Sequence, residues 1–287
     1  MKKNILISIF IAVSLGSILT YQNITYNDKK LHVVICDVGQ GDAIFIRTPK
    51  GSDILVDGGR DDLVLNCLAD HMPFWDRDLE LVILTHPHSD HFVGFFSVFK
   101  NYKIATFATE DLKNNTQNFQ NLMELVKKQA IPVRFIIAGD RFKLKDGVIL
   151  DIVGPTREFL ETTSPGGTIG ESSEFASLLT LVKYKTFSTL LTGDSQALEL
   201  QDAIDKGYLS KISVLQVPHH GSKTGLTEKI LDVLRPNLAV ISVGKNSYGH
   251  PAPEILKVLS EKNSKILRTD WDGEIEIMSD GEKWIVR

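Results

Sequence analysis

Three histidines and an aspartate lie within six consecutive positions, at His86, His88, Asp90 and His91. Neutral imidazole nitrogens and carboxylate oxygens are ligands that suit Zn²⁺, and also Mn²⁺ where oxygen ligands dominate. In an extended segment His86 and His88 project to the same side, and a turn through Ser89 brings the other two to a second position nearby. The spacing therefore predicts that one short loop begins two divalent-metal sites, with Zn²⁺ the expected ion and Mn²⁺ the alternative.

Two later apolar segments also end in ligand-type residues. Asp194 follows the segment STLLTG, and His219 and His220 follow ISVLQVP. An aspartate in this position can simply cap a helix that starts at Ser195. Together with the histidine cluster, a carboxylate shared between two metals is the better interpretation of Asp194.

Two further polar positions close apolar segments or lie in turns. Asp57 follows the strand-like DILV and precedes two glycines, so it is either a turn residue or an acceptor that orients the ligand imidazoles. His250 lies in the Gly/Pro-rich loop SVGKNSYGHPAP, and alone it indicates nothing.

The elements that must position these residues follow from the apolar periodicity. Short β-branched runs early in the chain, joined by Gly-containing turns, predict a β-meander. Later runs alternate with helical patterns, which favours an α/β fold of two sheets packed face to face with helices outside, an αββα sandwich. We expect helices near residues 61–69, 115–128, 196–205, 227–234 and 253–259. Residues 157–175 are predicted to form a long irregular loop over the site.

Composition and charge exclude little. The formal net charge of −4 gives no global basic surface of the kind that coats nucleic acid, although a local basic groove stays open. Cys36 and Cys67 lie in apolar stretches, so we interpret both as small core residues and not as ligands. They indicate no particular redox compartment.

The N-terminus predicts export. Lys2 and Lys3 precede an uncharged apolar run at residues 5–19, which is typical of a signal or anchor segment. No A-x-A-like cleavage site follows, and we expect an uncleaved single-pass anchor that leaves the rest of the chain facing outward. The alternatives are a secreted form after cleavage and a buried N-terminal element. We therefore divide the chain into residues 1–29, a hydrophobic segment with a short linker, and residues 30–287, one folded domain.

The motifs together resemble a known family. HPHSDH matches the HxHxDH signature of the metallo-β-lactamase superfamily, and DVGQGDA, LVDGG, LLTGD, VPHHGS and YGHP follow the order found in the C-terminal hydrolase domain of ComEC competence proteins. The resemblance covers about residues 31–287. It implies the same sandwich fold and a metal-dependent hydrolase.

The resemblance also implies a role for each matching residue. His86 and His88 would bind the first metal, Asp90 and His91 the second, and Asp194 would lie between them. His220, or otherwise its neighbour His219, would close the second site. Asp90, Asp194 and His250 are expected to act in catalysis. The other matching positions are expected to support the ligands or bind substrate, and these are Asp37, Gln40, Asp42, Asp57, Ser222, Lys223 and also His250. Of these, we expect Asp37, Gln40 and Asp42 to line the rim of the site, and His250 to contact a substrate phosphate or protonate the leaving group.

One departure from the family pattern concerns the first metal. Many superfamily members supply another histidine for it between HxHxDH and the bridging aspartate, but no histidine occurs here between His91 and His219. The first site is then completed by water, by a residue among Glu171, Ser172, Ser173 and Glu174, or not at all.

The function that follows is hydrolysis of a phosphodiester, such as DNA, by a metal-activated hydroxide outside the cytoplasmic membrane. Two other functions stay open: hydrolysis of a phosphorylcholine-type ester or another ester or amide of the envelope, and a non-catalytic metal-binding scaffold for nucleic acid or DNA uptake. With one hydrophobic segment, the chain by itself is not a transport channel.

The anchor hypothesis predicts the N-terminus of the native protein. Mass spectrometry of protein isolated from membranes should find a terminus that precedes residue 16, since the apolar segment is retained. A terminus after residue 16 would refute an uncleaved helix.

Overall fold

The computed structural model describes residues 2–111, 114–164 and 176–287. Its helices are α1 Lys2–Tyr26, α2 Val64–His71, α3 Ser89–Phe92, α4 Phe95–Asn101, α5 Gln117–Lys128, α6 Arg157–Thr163, α7 Ala197–Asp205, α8 Glu228–Leu234, α9 Pro253–Glu261 and α10 Thr269–Asp272. Pro218–Gly221 form a 3₁₀ turn. The first nine strands are β1 Leu31–Ile35, β2 Ile44–Arg47, β3 Asp53–Val56, β4 Asp78–Leu79, β5 Leu81–Ile83, β6 Lys103–Ile104, β7 Phe107–Thr109, β8 Val133–Phe135 and β9 Arg141–Lys143. The others are β10 Ile149–Gly154, β11 Leu179–Tyr184, β12 Phe187–Leu191, β13 Val214–Gln216, β14 Leu238–Ile241, β15 Lys265–Arg268, β16 Ile275–Ser279 and β17 Trp284–Val286.

Helix α1 extends the predicted apolar segment at both ends. Lys3–Tyr26 is long and apolar enough to cross a membrane, by length and composition, and none of its most apolar window is buried against the rest of the chain. The helix continues past residue 19 because the chain carries no charge from Asn4 to Tyr26 and no proline interrupts it.

Two mixed sheets form the domain. The first has the order β17-β16-β1-β2-β3-β5-β7-β8 and the second β15-β14-β13-β12-β11-β10-β9, with β4 and β6 pairing separately. The early strands β1, β2 and β3 pair antiparallel, as a meander requires. From β3 to β5 and from β12 to β15 the pairing is parallel, with helices between successive strands of the second sheet.

Apolar residues form three layers of core. One core lies between the sheets, where residues such as Val33 and Ile54 of the first sheet meet Val182 and Val240 of the second. A second core packs α2, α4 and α5 on the outer face of the first sheet. A third packs α7, α8 and α9 on the outer face of the second. This αββα arrangement confirms the predicted fold class.

Part of the stretch at residues 157–175, which we expected to be a loop, is a helix. Residues Arg157–Thr163 form helix α6, whose first turn is capped by the Thr156 side chain accepting a hydrogen bond from the Phe159 N–H. The sequence prediction missed this cap because the stretch shows little apolar periodicity. Residues 165–175, which include the suggested ligands Glu171, Ser172, Ser173 and Glu174, lie outside the described residues.

The interpretation of the two cysteines was incomplete. Cys36 and Cys67 are buried as expected, but they form a disulfide that joins the end of β1 to the middle of α2. Apolar surroundings predict burial equally well for a free and a paired cysteine, and only the packing of α2 on the first sheet brings the two sulfur atoms together.

The disulfide should contribute measurably to stability. Replacing both cysteines, as Cys36→Ser with Cys67→Ser, is expected to lower the free energy of unfolding by about 3 kcal/mol, because the bridge closes a loop of 31 residues in the unfolded chain. Urea denaturation with and without a reductant measures this. The reductant should destabilise the wild type and leave the double variant unchanged; equal sensitivity of both would contradict the prediction.

Candidate metal centre

The candidate ligands collect where parallel strands end. Asp57 follows β3 and the histidine cluster follows β5, its parallel neighbour. In the second sheet Asp194 follows β12 and the two adjacent histidines follow β13, which are also parallel. Because the carboxyl ends of parallel strands point to one edge of a sheet, the fold brings four distant segments together there.

The loop after β5 turns sharply into a short helix. His88 is the N-cap residue of α3, so Asp90 falls in its first turn and His91 in the following position. The start of the next helix, α4, lies against the loop after β3: a Cβ atom on Gly94, the N-cap residue of α4, would lie only 1.8 Å from the Gly58 carbonyl oxygen. Glycine is therefore required at position 94, whereas the neighbouring Val93 is partly buried and packs against the core.

Two groups of ligand atoms form at this edge. His86, His88 and Asp194 make up one, and Asp90, His91, Asp194 and His220 make up the other, with the ligand atoms of each group within 4.8 Å of one another. Asp194 belongs to both groups, as a bridging carboxylate would. The histidine that joins the second group is His220, which is the preferred one of the two predicted alternatives.

The two oxygens of Asp194 face different imidazoles. Oδ1 lies 3.3 Å from His91 Nε2 and 3.4 Å from His220 Nε2. Oδ2 lies 3.7 Å from the Nε2 atoms of both His86 and His219. His219 therefore faces the same carboxylate oxygen as His86, but it does not belong to the first group of ligand atoms.

The residues present fit a pair of divalent ions. Ligand atoms about 2 Å from a tetrahedral ion are about 3.3 Å apart, close to the separations around Asp194. The Nε2 atoms of His86, His88, His91 and His220 and Oδ1 of Asp194 are buried, and none of them has a hydrogen-bond partner among the described residues. Buried polar atoms are almost always satisfied, so five unsatisfied atoms aimed at one another indicate a site built for cations.

Asp57 holds the histidine cluster from behind. Its Oδ2 accepts hydrogen bonds from His91 Nδ1 at 2.8 Å and from the Thr85 hydroxyl at 2.7 Å, while Oδ1 accepts from the Thr85 N–H. The residue has a positive φ of 58°, which is uncommon outside glycine and asparagine and points its carboxylate back at the loop. The hydrogen bond to Nδ1 leaves Nε2 of His91 to face the ligand group.

The other histidines are oriented in similar ways. His220 Nδ1 donates to the Ser242 carbonyl oxygen at 2.8 Å, which directs its Nε2 at Asp194. His219 and His220 have φ values of 50° and 53°, both in the left-handed region. Strained backbone of this kind persists where the surrounding structure fixes it, and here it turns successive side chains toward opposite oxygens of one carboxylate.

Asp42 does not line the rim, contrary to the prediction. It is 1% exposed and lies behind the histidines, with its Oδ2 accepting from Gln216 Nε2 at 2.6 Å and its Oδ1 3.6 Å from His220 Nδ1. Gln40 does line the cavity, and Asp37 is exposed nearby, accepting from the Gly39 N–H. Alternation along DVGQGDA could not separate inner from outer positions because the segment is irregular.

The charges of the site depend on one another. Burial would raise the pKa of Asp194, but the imidazoles of His220 and His91 outweigh burial and hold that pKa well below its usual range. Burial would lower the pKa of His220, yet Asp194 and Asp42 raise it to about 9. Burial raises the pKa of Asp57 to about 6 despite the neighbouring His91. Asp194 is therefore ionised at neutral pH and needs positive charge beside it.

The ligands open onto a cavity of about 870 Å³. Its wall includes predicted residues, among them Gln40, His88, Ser222 and His250, whereas Lys223 is exposed to solvent. The prediction missed two parts of the wall: the N-terminus of α5 at residues 116–118, and Tyr248, which is 75% exposed. Tyr248 lies in the motif YGHP, but a tyrosine in a loop does not by itself indicate a site residue.

An adjoining cavity of about 360 Å³ adds positive charge. It is lined by Arg60 and Lys245 together with Ser89 and Asp90. Arg60 follows the two glycines after Asp57, and no sequence pattern pointed to it.

The fold and the ligand groups define a class. Residues 36–174 of the chain match the metallo-beta-lactamase superfamily. Among solved structures, the metallo-beta-lactamase fold protein YhfI from Bacillus subtilis superposes with a TM-score of 0.54 at 10% identity, covering 90% of this chain and 100% of that one.

The similar curated proteins include ComE operon protein 3, Recombination protein 2 and Competence protein ComA. ComE operon protein 3 of Bacillus subtilis is 26% identical over 262 residues, 85% of this chain and 32% of the relative. Recombination protein 2 of Haemophilus influenzae is 30% identical over 248 residues, 84% of this chain and 28% of the relative. These matches confirm the resemblance to competence proteins, and the chain spans less than a third of the length of either.

Removing the support behind His91 should weaken metal binding. Asp57→Asn is expected to lower the affinity for Zn²⁺ by about 10- to 100-fold, because the amide no longer fixes the orientation and basicity of the imidazole. Competition against a chromogenic chelator measures the affinity.

Asp62→Asn, an exposed position nearby, is the matched control and should bind Zn²⁺ like the wild type. Unchanged affinity in Asp57→Asn with a fold preserved by circular dichroism would show that Asp57 does not support a ligand.

Proposed function

We propose that this protein is a metal-dependent phosphodiesterase that acts on DNA or a related phosphodiester outside the cytoplasmic membrane. The proposal depends on one observation: the two ligand groups, which suit cations, open onto a cavity whose walls have features that bind anions. The relation to competence proteins supports the choice of nucleic acid as substrate class.

Three features of the cavity favour an anionic polymer. Arg60 and Lys245 lie beside Asp90 and can pair with phosphates that flank the scissile one. The N-terminus of α5 faces the cavity, and the free N–H groups of a helix N-terminus attract phosphate oxygens. Tyr248 offers an exposed ring on which a base can stack. Arg60, Lys245 and the start of α5 supply local positive charge that the net charge of −4 does not reveal.

The chemistry divides among named residues. Two divalent ions would make water nucleophilic near neutral pH and take up charge on the phosphate oxygens. Asp90 and Asp194 are ionised acceptors, and they orient the attacking water toward the phosphorus. Burial would raise the pKa of Asp90, but His91 and His220 hold that pKa below its usual range, so it remains an acceptor in acid solution.

His250 acts as a hydrogen-bond donor and not as a source of protons. Burial and the neighbouring His219 lower the pKa of His250 to about 4, so the ring is neutral at pH 7. A neutral imidazole still donates one N–H to a phosphate oxygen as charge develops there. The alternative expectation, protonation of the leaving group, is less well supported by this pKa.

We also propose that α1 is retained as a membrane anchor with the domain outside. Lys2 and Lys3 at its start favour an inside N-terminus. The disulfide between Cys36 and Cys67 supports an extracytoplasmic domain, since such bonds persist in oxidising compartments and are rare in the cytosol.

Hydrolysis assays test the proposed activity. The full chain in detergent, loaded with Zn²⁺ or Mn²⁺, should cleave bis-p-nitrophenyl phosphate and single- or double-stranded DNA. Asp194→Asn should reduce the rate to background because both ligand groups lose their shared carboxylate. His250→Ala should lower kcat by about 100-fold, the usual cost of one donor to a developing negative charge.

Lys257→Ala on the exposed face of α9 is the matched control and should keep the wild-type rate. Activity confined to a phosphorylcholine ester or a β-lactam would overturn the proposal. Stoichiometric metal binding with no turnover of any of these substrates would favour the non-catalytic scaffold instead.

A further inference from the structure

An exposed aromatic pair lies beside the end of the apolar helix. Residues 73–75, here named the aromatic loop, follow α2 and carry Phe74 and Trp75, which are 52% and 47% exposed and pack edge to face at 4.9 Å. Aromatic side chains of this size usually bury their surface, and a contiguous exposed pair indicates an interaction surface. Neither Phe74 nor Trp75 is one of the metal-centre residues described above.

Helix α1 is attached to this loop by specific hydrogen bonds. Gln22 Oε1 accepts the Phe74 N–H at 3.1 Å, and one turn further along α1 the Tyr26 hydroxyl donates to the Asp70 carbonyl oxygen at 2.9 Å. Arg47 Nε donates to the Tyr26 carbonyl oxygen at 3.2 Å. The last turns of α1 and the aromatic loop therefore lie at the same level.

That level is the outer boundary of a bilayer if α1 spans it. About 20 helical residues cross the hydrocarbon core, so a span that begins at Ile5 ends near Ile24. Tyr21 on the helix, 68% exposed, and Trp75 on the loop then stand in the interfacial zone, where tyrosine and tryptophan are enriched.

The metal centre lies at the opposite edge of the domain. Strand β1 begins at Leu31, next to the linker from α1, and ends at Ile35, just before the DVGQGDA segment of the site. The aromatic loop is followed by β4 and then by β5, which begins at Leu81 and ends at Ile83, just before the histidine cluster. A five-residue strand is about 17 Å long, so β1 separates the linker at its start from the site segment at its end by about that length.

We propose that the aromatic loop inserts into the bilayer interface beside α1 and thereby holds the metal centre facing away from the membrane. This inference rests on the membrane anchor of the proposed function, and it adds a restriction on which phosphodiesters can be substrates. Phosphodiesters that approach from the aqueous side reach the cavity, whereas the headgroups of the host bilayer do not.

The chain's own tryptophans test this orientation. Trp271 is 74% exposed on α10, which the Thr269 hydroxyl ties to Val243 at the edge of the metal centre, so it marks the far side of the domain. Trp271→Phe with Trp284→Phe leaves only Trp75, and Trp75→Phe with Trp284→Phe leaves only Trp271. Both full-length variants are reconstituted in phosphatidylcholine vesicles with and without bromine on the upper acyl chain.

Brominated lipid should quench the emission of Trp75 and leave that of Trp271 unchanged, while aqueous iodide should quench Trp271 more strongly. Far-UV circular dichroism checks the fold of each variant. Vesicle flotation separates the two proposals: a chain that does not float refutes the anchor together with the contact. A floating chain whose Trp75 is not quenched by bromine, or whose two tryptophans are quenched equally, refutes the contact alone, and neither result depends on hydrolytic activity.

Discussion

The burial of the Asp194 carboxylate is the interaction on which the rest of the site depends. A buried charge is costly unless opposite charge and hydrogen-bond donors compensate it, and here the Nε2 atoms of four histidines lie within 3.3 to 3.7 Å of its two oxygens. Those imidazoles must approach unprotonated if they are to share a cation with the carboxylate. The fold orients these rings by giving the nitrogens that face away from the centre hydrogen-bond partners, as Asp57 does for His91 and the Ser242 carbonyl for His220, so that each Nε2 faces the carboxylate.

The residues around Asp194 come from both sheets, which are formed by different parts of the chain. The first sheet contributes the loop after β5 and the acceptor after β3, and the second contributes Asp194 and the paired histidines. The apolar core between the sheets fixes their separation, so it also fixes the distance between His91 and Asp194. Packing far from any polar atom therefore sets the geometry of the ligand groups, since a close-packed interior transmits small displacements.

The edge of the sheets that lies opposite the metal centre carries the attachment of helix α1. There the linker, α2 and the end of α1 are joined by hydrogen bonds, and the disulfide connects α2 to the strand that leads to the site. A domain built on strands that run from one edge to the other separates the chemistry from the attachment point by the length of a strand. The division agrees with a hydrolase that receives its substrate from the aqueous phase.

The sequence by itself determined the kind of chemistry and the fold class, because both depend on local patterns. His86, His88, Asp90 and His91 are neighbours in one loop, and apolar periodicity within single segments gave the meander and the later alternation of strands and helices. The tertiary structure decided the features that depend on contacts between residues far apart in the sequence. These are the pairing of Cys36 with Cys67, the burial of Asp42, and the placement of Arg60 beside Asp90. It also decided that His219 and His220, adjacent in the chain, face opposite oxygens of Asp194. Their left-handed backbone is held by tertiary contacts, such as the hydrogen bond from the His219 N–H to the Gly193 carbonyl oxygen, and no local pattern of residues specifies such a conformation.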